Sequence, residues 1–175
     1  MPKPLVFTFV GADKPGLVEK LSQTVAAHGG NWLESRMSEL AGQFAGIVKV
    51  EVSTDKAVAL RTALLGLCEP QFSVVVAESV GESSAGNFRQ LRLTIVGNDR
   101  PGIMREVSHA LAARNISVSE MDTSVSSAPM SGDLLFEAVA QIRVPQALDL
   151  EELNTQLDAI ADALTVQIDL EESLR

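Results

Sequence analysis

Val10-Gly11-Ala12-Asp13-Lys14-Pro15-Gly16 has a near copy in Val96-Gly97-Asn98-Asp99-Arg100-Pro101-Gly102, 86 residues further along the chain. Each copy follows an apolar, alternating stretch and opens an amphipathic helical pattern, so each marks a strand-to-helix corner. The fixed φ of Pro15 and Pro101 suits the first turn of a helix. Asp13 and Asp99 stand just upstream, where a carboxylate is expected to cap the free amides. Such a corner aims unpaired N–H groups and the positive end of a helix dipole at whatever lies above the strand, which suits a carboxylate or another small anion.

Upstream of the first corner, Leu5, Phe7 and Phe9 alternate with Val6, Thr8 and Val10, the pattern of a central strand covered on one face. Downstream, Leu17, Val18, Leu21 and Val25 fall at helical spacing. His28-Gly29-Gly30 stops the helix, Gly29 being able to take a left-handed C-terminal position without steric cost. Asn31 to Leu40 reads as a polar edge strand, with Trp32, Glu34, Arg36 and Ser38 on one side and Leu33, Ser35 and Met37 on the other. A turn at 41–43 leads to a third strand over 47–52. Asp55 to Leu67 then forms a helix expected to bury Val58, Leu60, Leu64 and Leu67, and Phe72 to Val80 is a valine-rich last strand. This order, β-α-β-β-α-β, is the ferredoxin-like unit.

The small, polar stretch from Gly81 to Asn87 has no periodicity and reads as a linker. The same order then runs again. Leu91, Leu93 and Ile95 alternate, Ile103, Met104, Val107 and Leu111 keep helical spacing, and Asn115 occupies the place of Gly29, as a residue that also tolerates positive φ. Ile116 to Val125 is a second polar strand, followed by a longer hairpin loop over Ser126–Asp133. Phe136, Ala138, Ala140 and Ile142 alternate, Leu150, Leu153, Leu157, Ile160 and Leu164 follow a helix, and Val166, Ile168 and Leu170 close the sheet before a tail, Glu171–Arg175, expected to fray. The fold class is therefore α+β, two four-stranded antiparallel sheets each carrying two helices on one face. The domains are expected at 1–80 and 90–175, with 81–89 as linker.

With 46% hydrophobic and 21% charged residues, the 175-residue chain has the composition of an ordinary globular protein. Its net charge of −9 argues against a surface built to neutralise phosphates, so no direct nucleic-acid contact is expected. The lone Cys68 makes no internal disulfide, and two scattered histidines give neither metal-ligand spacing nor a catalytic pair. His28 and His109 do not align in the repeat and read as surface residues, while Met37, Met104 and Met121 read as packing. No leader pattern or membrane-length apolar run interrupts the reading, and a cytoplasmic location is expected.

Two such units, each with a Gly-x-Asp-[Lys/Arg]-Pro-Gly-[Leu/Ile] corner, resemble a tandem of ACT domains, small-molecule sensing modules of amino-acid metabolism. The longer string Gly11 to Val18, joined to Gly29-Gly30-Asn31-Trp32-Leu33-Glu34-Ser35-Arg36-Met37 and Phe44-Ala45-Gly46, is similar to the family of the glycine cleavage system transcriptional repressor. That resemblance implies a non-enzymatic regulator without a cofactor. It would sense glycine or a similar small amino acid and repress glycine-cleavage-type genes through a protein partner, a DNA-binding transcriptional activator. It also implies a ligand lying between the corner and the start of the second strand, commonly at an interface of two ACT units. By position these are Ala12, Asp13, Lys14, Pro15, Gly16 and Asn31 in the first unit, and Asn98, Asp99, Arg100, Pro101, Gly102 and Ser117 in the second. Asn31 is the longer donor and makes the first unit the better expected site. A homodimer is expected as well, since a unit of this size buries modest surface alone.

Three other readings compete. An acylphosphatase would need a Gly-x-Val-Gln-Gly-Val loop that the sequence lacks. An RNA-recognition sheet would need a run of aromatic residues on its third and first strands, where Val48, Lys49 and Val50, or Leu134, Phe136 and Ala138, make no such run. The remaining alternative is an ACT-type regulatory subunit of an amino-acid-metabolism enzyme that senses nothing itself.

Overall fold

Leu5, Phe7 and Phe9 point into a buried layer from β1 (Pro2–Ala12), and the rest of the first unit is arranged around that strand. The computed structural model describes residues 2–79, 87–129 and 131–172 and divides into two compact units, Met1–Ser83 and Ser84–Arg175. In the first, β1 is followed by α1 (Leu17–Ala27), β2 (Asn31–Leu40), β3 (Gln43–Ser53), α2 (Thr54–Leu65) and β4 (Phe72–Glu78). The antiparallel sheet has the order β2-β3-β1-β4, so the polar second strand is an edge and the apolar first strand is central. The core joins Phe7, Val48, Val50 and Val74 from the sheet to Leu21, Val25, Leu60 and Leu64 from the helices.

The second unit repeats the plan with β5 (Phe88–Asn98), α3 (Ile103–Ala112), β6 (Ser117–Ser127), β7 (Leu134–Pro145), α4 (Leu150–Leu164) and β8 (Val166–Glu172), in the sheet order β6-β7-β5-β8. Gly29 and Asn115 both take positive φ, 68° and 54°, closing α1 and α3 alike. The 81–89 stretch divides: residues 81–86 lie outside the described residues, and Phe88 and Arg89 already belong to β5. Val80, Met130 and residues 173–175 also lie outside them. Glu171 and Glu172 do not fray, because they pair with Arg92 and Leu91 in the sheet.

Two expectations about facing residues are overturned. The register of β2 shifts between Trp32 and Glu34. Trp32 stands opposite Val50, and Ser35 and Met37 stand opposite Val48 and Gly46. A β-bulge at Leu33 therefore puts Trp32 and Met37 on the same, core-facing side, while Glu34 and Arg36 face away. Trp32 meets Phe7 edge to face at 6.0 Å between ring centroids. The second unit has the same irregularity at Ser119, between Val118 and Glu120, the equivalent position in the repeat.

Val58 is not buried but 74% exposed, and Ala57 takes the inward position with Leu60 and Leu64. Those two leucines set the helix phase, and one step along the helix from Ala57 turns a side chain about 100° away from the core.

Candidate functional site

Both corners begin their helices later than the sequence suggests. α1 starts at Leu17 with Gly16 as N-cap (φ 90°), and α3 starts at Ile103 with Gly102 as N-cap (φ 104°). Pro15 and Pro101 sit in the turn before the cap. Neither Asp13 nor Asp99 caps its helix, since no side chain bonds to either start. Gly16 and Gly102 take the N-cap place themselves, so each aspartate stands three residues short of the position from which a side chain reaches the first amides. The backbone of each aspartate is used elsewhere: Asp13 N–H donates to the Gly42 carbonyl (2.9 Å) and Asp99 N–H to the Leu134 carbonyl (2.7 Å). The first intrahelical bonds come from Lys20 N–H to Gly16 O (2.9 Å) and from Glu106 N–H to Gly102 O (3.0 Å). The amides of residues 17–19 and 103–105 therefore precede the helical ladder and have no side-chain cap.

Beside the first corner lies a hollow of about 50 Å³ lined by Ala12, Lys14, Leu17, Lys20, Glu69, Gln71 and Phe72. Lys20 Nζ donates to Glu69 Oε1 at 2.8 Å, and this bond and charge, with Lys14 adding to the field, hold the Glu69 carboxyl below its ordinary value of 4.5. A carboxylate whose pKa is lower in the folded state stabilises the fold above its unfolded value. That contribution is fully present above pH 4.5 and is lost as pH falls through the lowered folded value. In Lys20→Met the Glu69 carboxyl is expected to titrate closer to 4.5. Side-chain NMR across that range checks this, and a titration unmoved by the substitution would rule out the pairing.

The second corner opens onto a larger hollow, about 300 Å³, lined by Arg100, Pro101, Gly102, Arg105, Glu106, Ile160, Ala163 and Leu164. Arg100 Nη2 donates to the Ala163 carbonyl at 3.0 Å, in the last turn of α4 where carbonyls lack intrahelical donors. Arg105 pairs with Glu106 at 2.7 Å. Each hollow is thus walled by two cations and one carboxylate beside an uncapped helix start. Among the described residues there is no group of three or more His, Cys, Asp and Glu side chains that could hold a metal.

Asn31 and Ser117 are not brought to their corners. Asn31 lies opposite Glu51, and Glu51 lies opposite Pro4, whereas Gly11 pairs with Phe44. At about 3.3 Å per residue, the seven steps from Pro4 to Gly11 put Asn31 roughly 23 Å from the corner, at the other end of the sheet. The register of Ser117 with Arg143 and of Arg143 with Gln90 does the same in the second unit. A ligand held at residues 12–16 therefore does not touch Asn31 of the same unit. What the sequence reading missed is Lys20 and Glu69 beside the first corner and Arg105 and Glu106 beside the second. Their signal was legible in part, because Lys20 and Glu106 each lie one turn into the helix after the corner glycine.

Comparison with known proteins gives two family matches with the description "ACT domain", one over residues 3–73 and the other over residues 91–162. The crystal structure of an unknown protein from Galdieria sulphuraria is similar over 99% of this chain and 100% of its own, with 29% identity and a TM-score of 0.84. A structure described as a "putative glycine cleavage system transcriptional repressor" is similar over 100% of this chain and 99% of its own, with 20% identity and a TM-score of 0.73, a likeness that shows the fold. No curated protein matches the sequence.

Proposed function

Because this chain belongs to the ACT-domain family, with one match in each half, we propose that it is a non-enzymatic regulator that binds a small amino acid at its strand-to-helix corners. The observation that carries this reading is the pair of hollows, each with an uncapped helix start and two cations against one carboxylate, in a chain whose net charge is −9. Three successive amides and a helix dipole suit an α-carboxylate, and Glu69 or Glu106 offers an acceptor for the ammonium group. Lys14 and Lys20 act at the first corner. At the second, Arg100 serves the end of α4, and Arg105 with its partner Glu106 forms the charged pair that meets a ligand.

Calorimetry with glycine, serine and alanine tests the reading. Measurable heat with at least one of them is expected for the wild type, weaker binding for Lys14→Ala, and no change for Asn31→Ala, which lies at the far end of the sheet. No heat with any amino acid would end the sensing role. Loss of binding in Asn31→Ala would move the site to a place where β2 of a second copy meets the corner.

The downstream partner in this reading is a DNA-binding transcriptional activator of glycine-cleavage-type genes. The tandem organisation shared with the repressor-like structure supports it, as does the acidic charge, which disfavours contact with DNA itself. Affinity capture from the native host is expected to recover a transcription factor in a glycine-dependent manner. Recovery of an amino-acid-metabolism enzyme in its place would identify the chain as that enzyme's regulatory subunit.

A further inference from the structure

The helices cover only one face of each sheet, and the two uncovered faces differ in chemistry. On the first sheet the outward residues include Leu40 (79% exposed), Val75 (64%), Ile47 (47%) and Val10 (46%), with Val6 and Ala45 between them. The register gives the matching places in the second unit. Val75, opposite Thr8, corresponds to Asp169, opposite Thr94, and Ala45, opposite Val10, corresponds to Glu137, opposite Val96. Leu40 corresponds to Ser126, Val6 to Arg92 and Ala77 to Glu171. Two sheets of one plan thus present one face with a large apolar part and one with charges spread across it. An apolar patch of this kind is the surface that association buries.

We propose that two copies of this chain meet through the open face of the first sheet. Charge argues for a second copy as the occupant. The apolar residues gather toward the end of the face nearest the corner, with the small or uncharged Ser38, Gln43 and Ser73 among them. The opposite end carries Glu34, Arg36, Lys49 and Glu51, equal numbers of each sign, so this face is neutral on a chain of net charge −9. The open face of the second sheet carries Glu120, Asp122, Glu137, Asp169 and Glu171 against Arg92 and Arg143, and would repel its own copy.

Geometry agrees with self-pairing. A two-fold axis lying between the sheets and parallel to the strands sets apolar end on apolar end, and at the other end it lays the charged residues of β2 and β3 across from Val6 and Ala77 on β1 and β4 of the second copy. It also lays β4 of one copy over β2 of the other. Val75 of the second copy then comes over the hollow of about 170 Å³ lined by Val6, Glu34, Ser35, Arg36, Ile47 and Lys49. Four strands at about 4.8 Å spacing and ten residues long cover roughly 630 Å² on each copy. Two such faces together exceed the ~1,000 Å² that a specific interface needs.

Sedimentation velocity and light scattering on the full chain test this. The wild type is expected to show a concentration-dependent dimer over micromolar to submillimolar protein. Val75→Glu is expected to weaken it by about tenfold or more, since the new carboxylate must be stripped of water at the seam and set beside Glu34, which already holds Arg36. Leu40→Glu, at an exposed hairpin end that costs the fold little, is expected to weaken it as well, and thermal melting confirms that both variants are folded. Asp169→Lys, on the matching place of the second sheet, is expected to leave the dimer unchanged. A wild type that stays monomeric, or a dimer indifferent to both glutamate variants, would overturn the proposal. Neither result bears on the calorimetry of the corners, which reads a different surface.

Discussion

Replacing Phe7 with alanine is expected to destabilise the first unit by roughly 3–5 kcal/mol, the range for truncating a fully buried aromatic side chain. Phe7 is completely buried, lies between Val48 and Val76 on the neighbouring strands and takes the edge-on contact of Trp32. It thereby joins the central strand, both of its neighbours and the bulged edge strand, so the cavity left behind has little to collapse into. A small unit holds only about 5–15 kcal/mol of net stability, and a loss of this size separates its unfolding from that of the second unit. The chain has one tryptophan, in the first unit. Trp32 fluorescence in urea therefore reports that unit, while far-UV circular dichroism reports both. In Phe7→Ala the fluorescence transition is expected to move to much lower urea, with a second dichroism step remaining near the wild-type midpoint. A shift worth less than about 1 kcal/mol would mean that the core re-forms around the gap.

The glycines of the corner divide into two kinds, and substitution tells them apart. A Cβ built on Gly97 would lie 2.6 Å from Val166 Cγ1 and 2.8 Å from Val166 Cα, and one on Gly11 would lie 2.7 Å from Phe72 Cδ2 and 2.8 Å from the Gln71 carbonyl. Backbone atoms are among these neighbours, so rotating a side chain does not relieve the contact. Gly97→Ala is expected to cost about 1–3 kcal/mol, and Gly97→Leu distinctly more, as β5 is pushed off β8. At Gly16 and Gly102 a Cβ would meet nothing within 4 Å, but φ is 90° and 104°. There the cost is backbone strain, about 1–3 kcal/mol, and is expected to be nearly the same for Gly102→Ala and Gly102→Leu. Chemical denaturation of the four variants measures this. A Gly97 series insensitive to side-chain size would refute the steric account.

The order of elements was legible because its signals are local and doubled. Alternation in 5–9 and 91–95, helical spacing after each Pro-Gly, and the matched stops at Gly29 and Asn115 agree in both halves. The edge position of β2 and β6 followed from their polarity. Other features depend on contacts that no local pattern encodes. The inward choice of Ala57 over Val58 is set by where Leu60 and Leu64 meet the sheet. The loss of the aspartate caps follows from Gly16 and Gly102 taking the N-cap place, which a Pro-Gly pair permits without requiring. Asn31 follows the corner by fewer than twenty residues in sequence, yet an intervening helix returns the chain to the far end of the sheet before β2 begins. Within one unit, closeness in sequence thus gave the wrong neighbour.

The extra residue at Leu33, repeated at Ser119, makes parity along the second strand of each unit a local property. Positions before it count odd and even one way, and positions after it count the other way. Trp32 and Met37 share the oily side although five steps part them. Deleting Leu33 would straighten the strand and leave four steps between the indole and the thioether, both still inward, whereas flattening the kink at unchanged length would turn one of them out into water; the kink is what lets a ribbon of this spacing present both to the same interior.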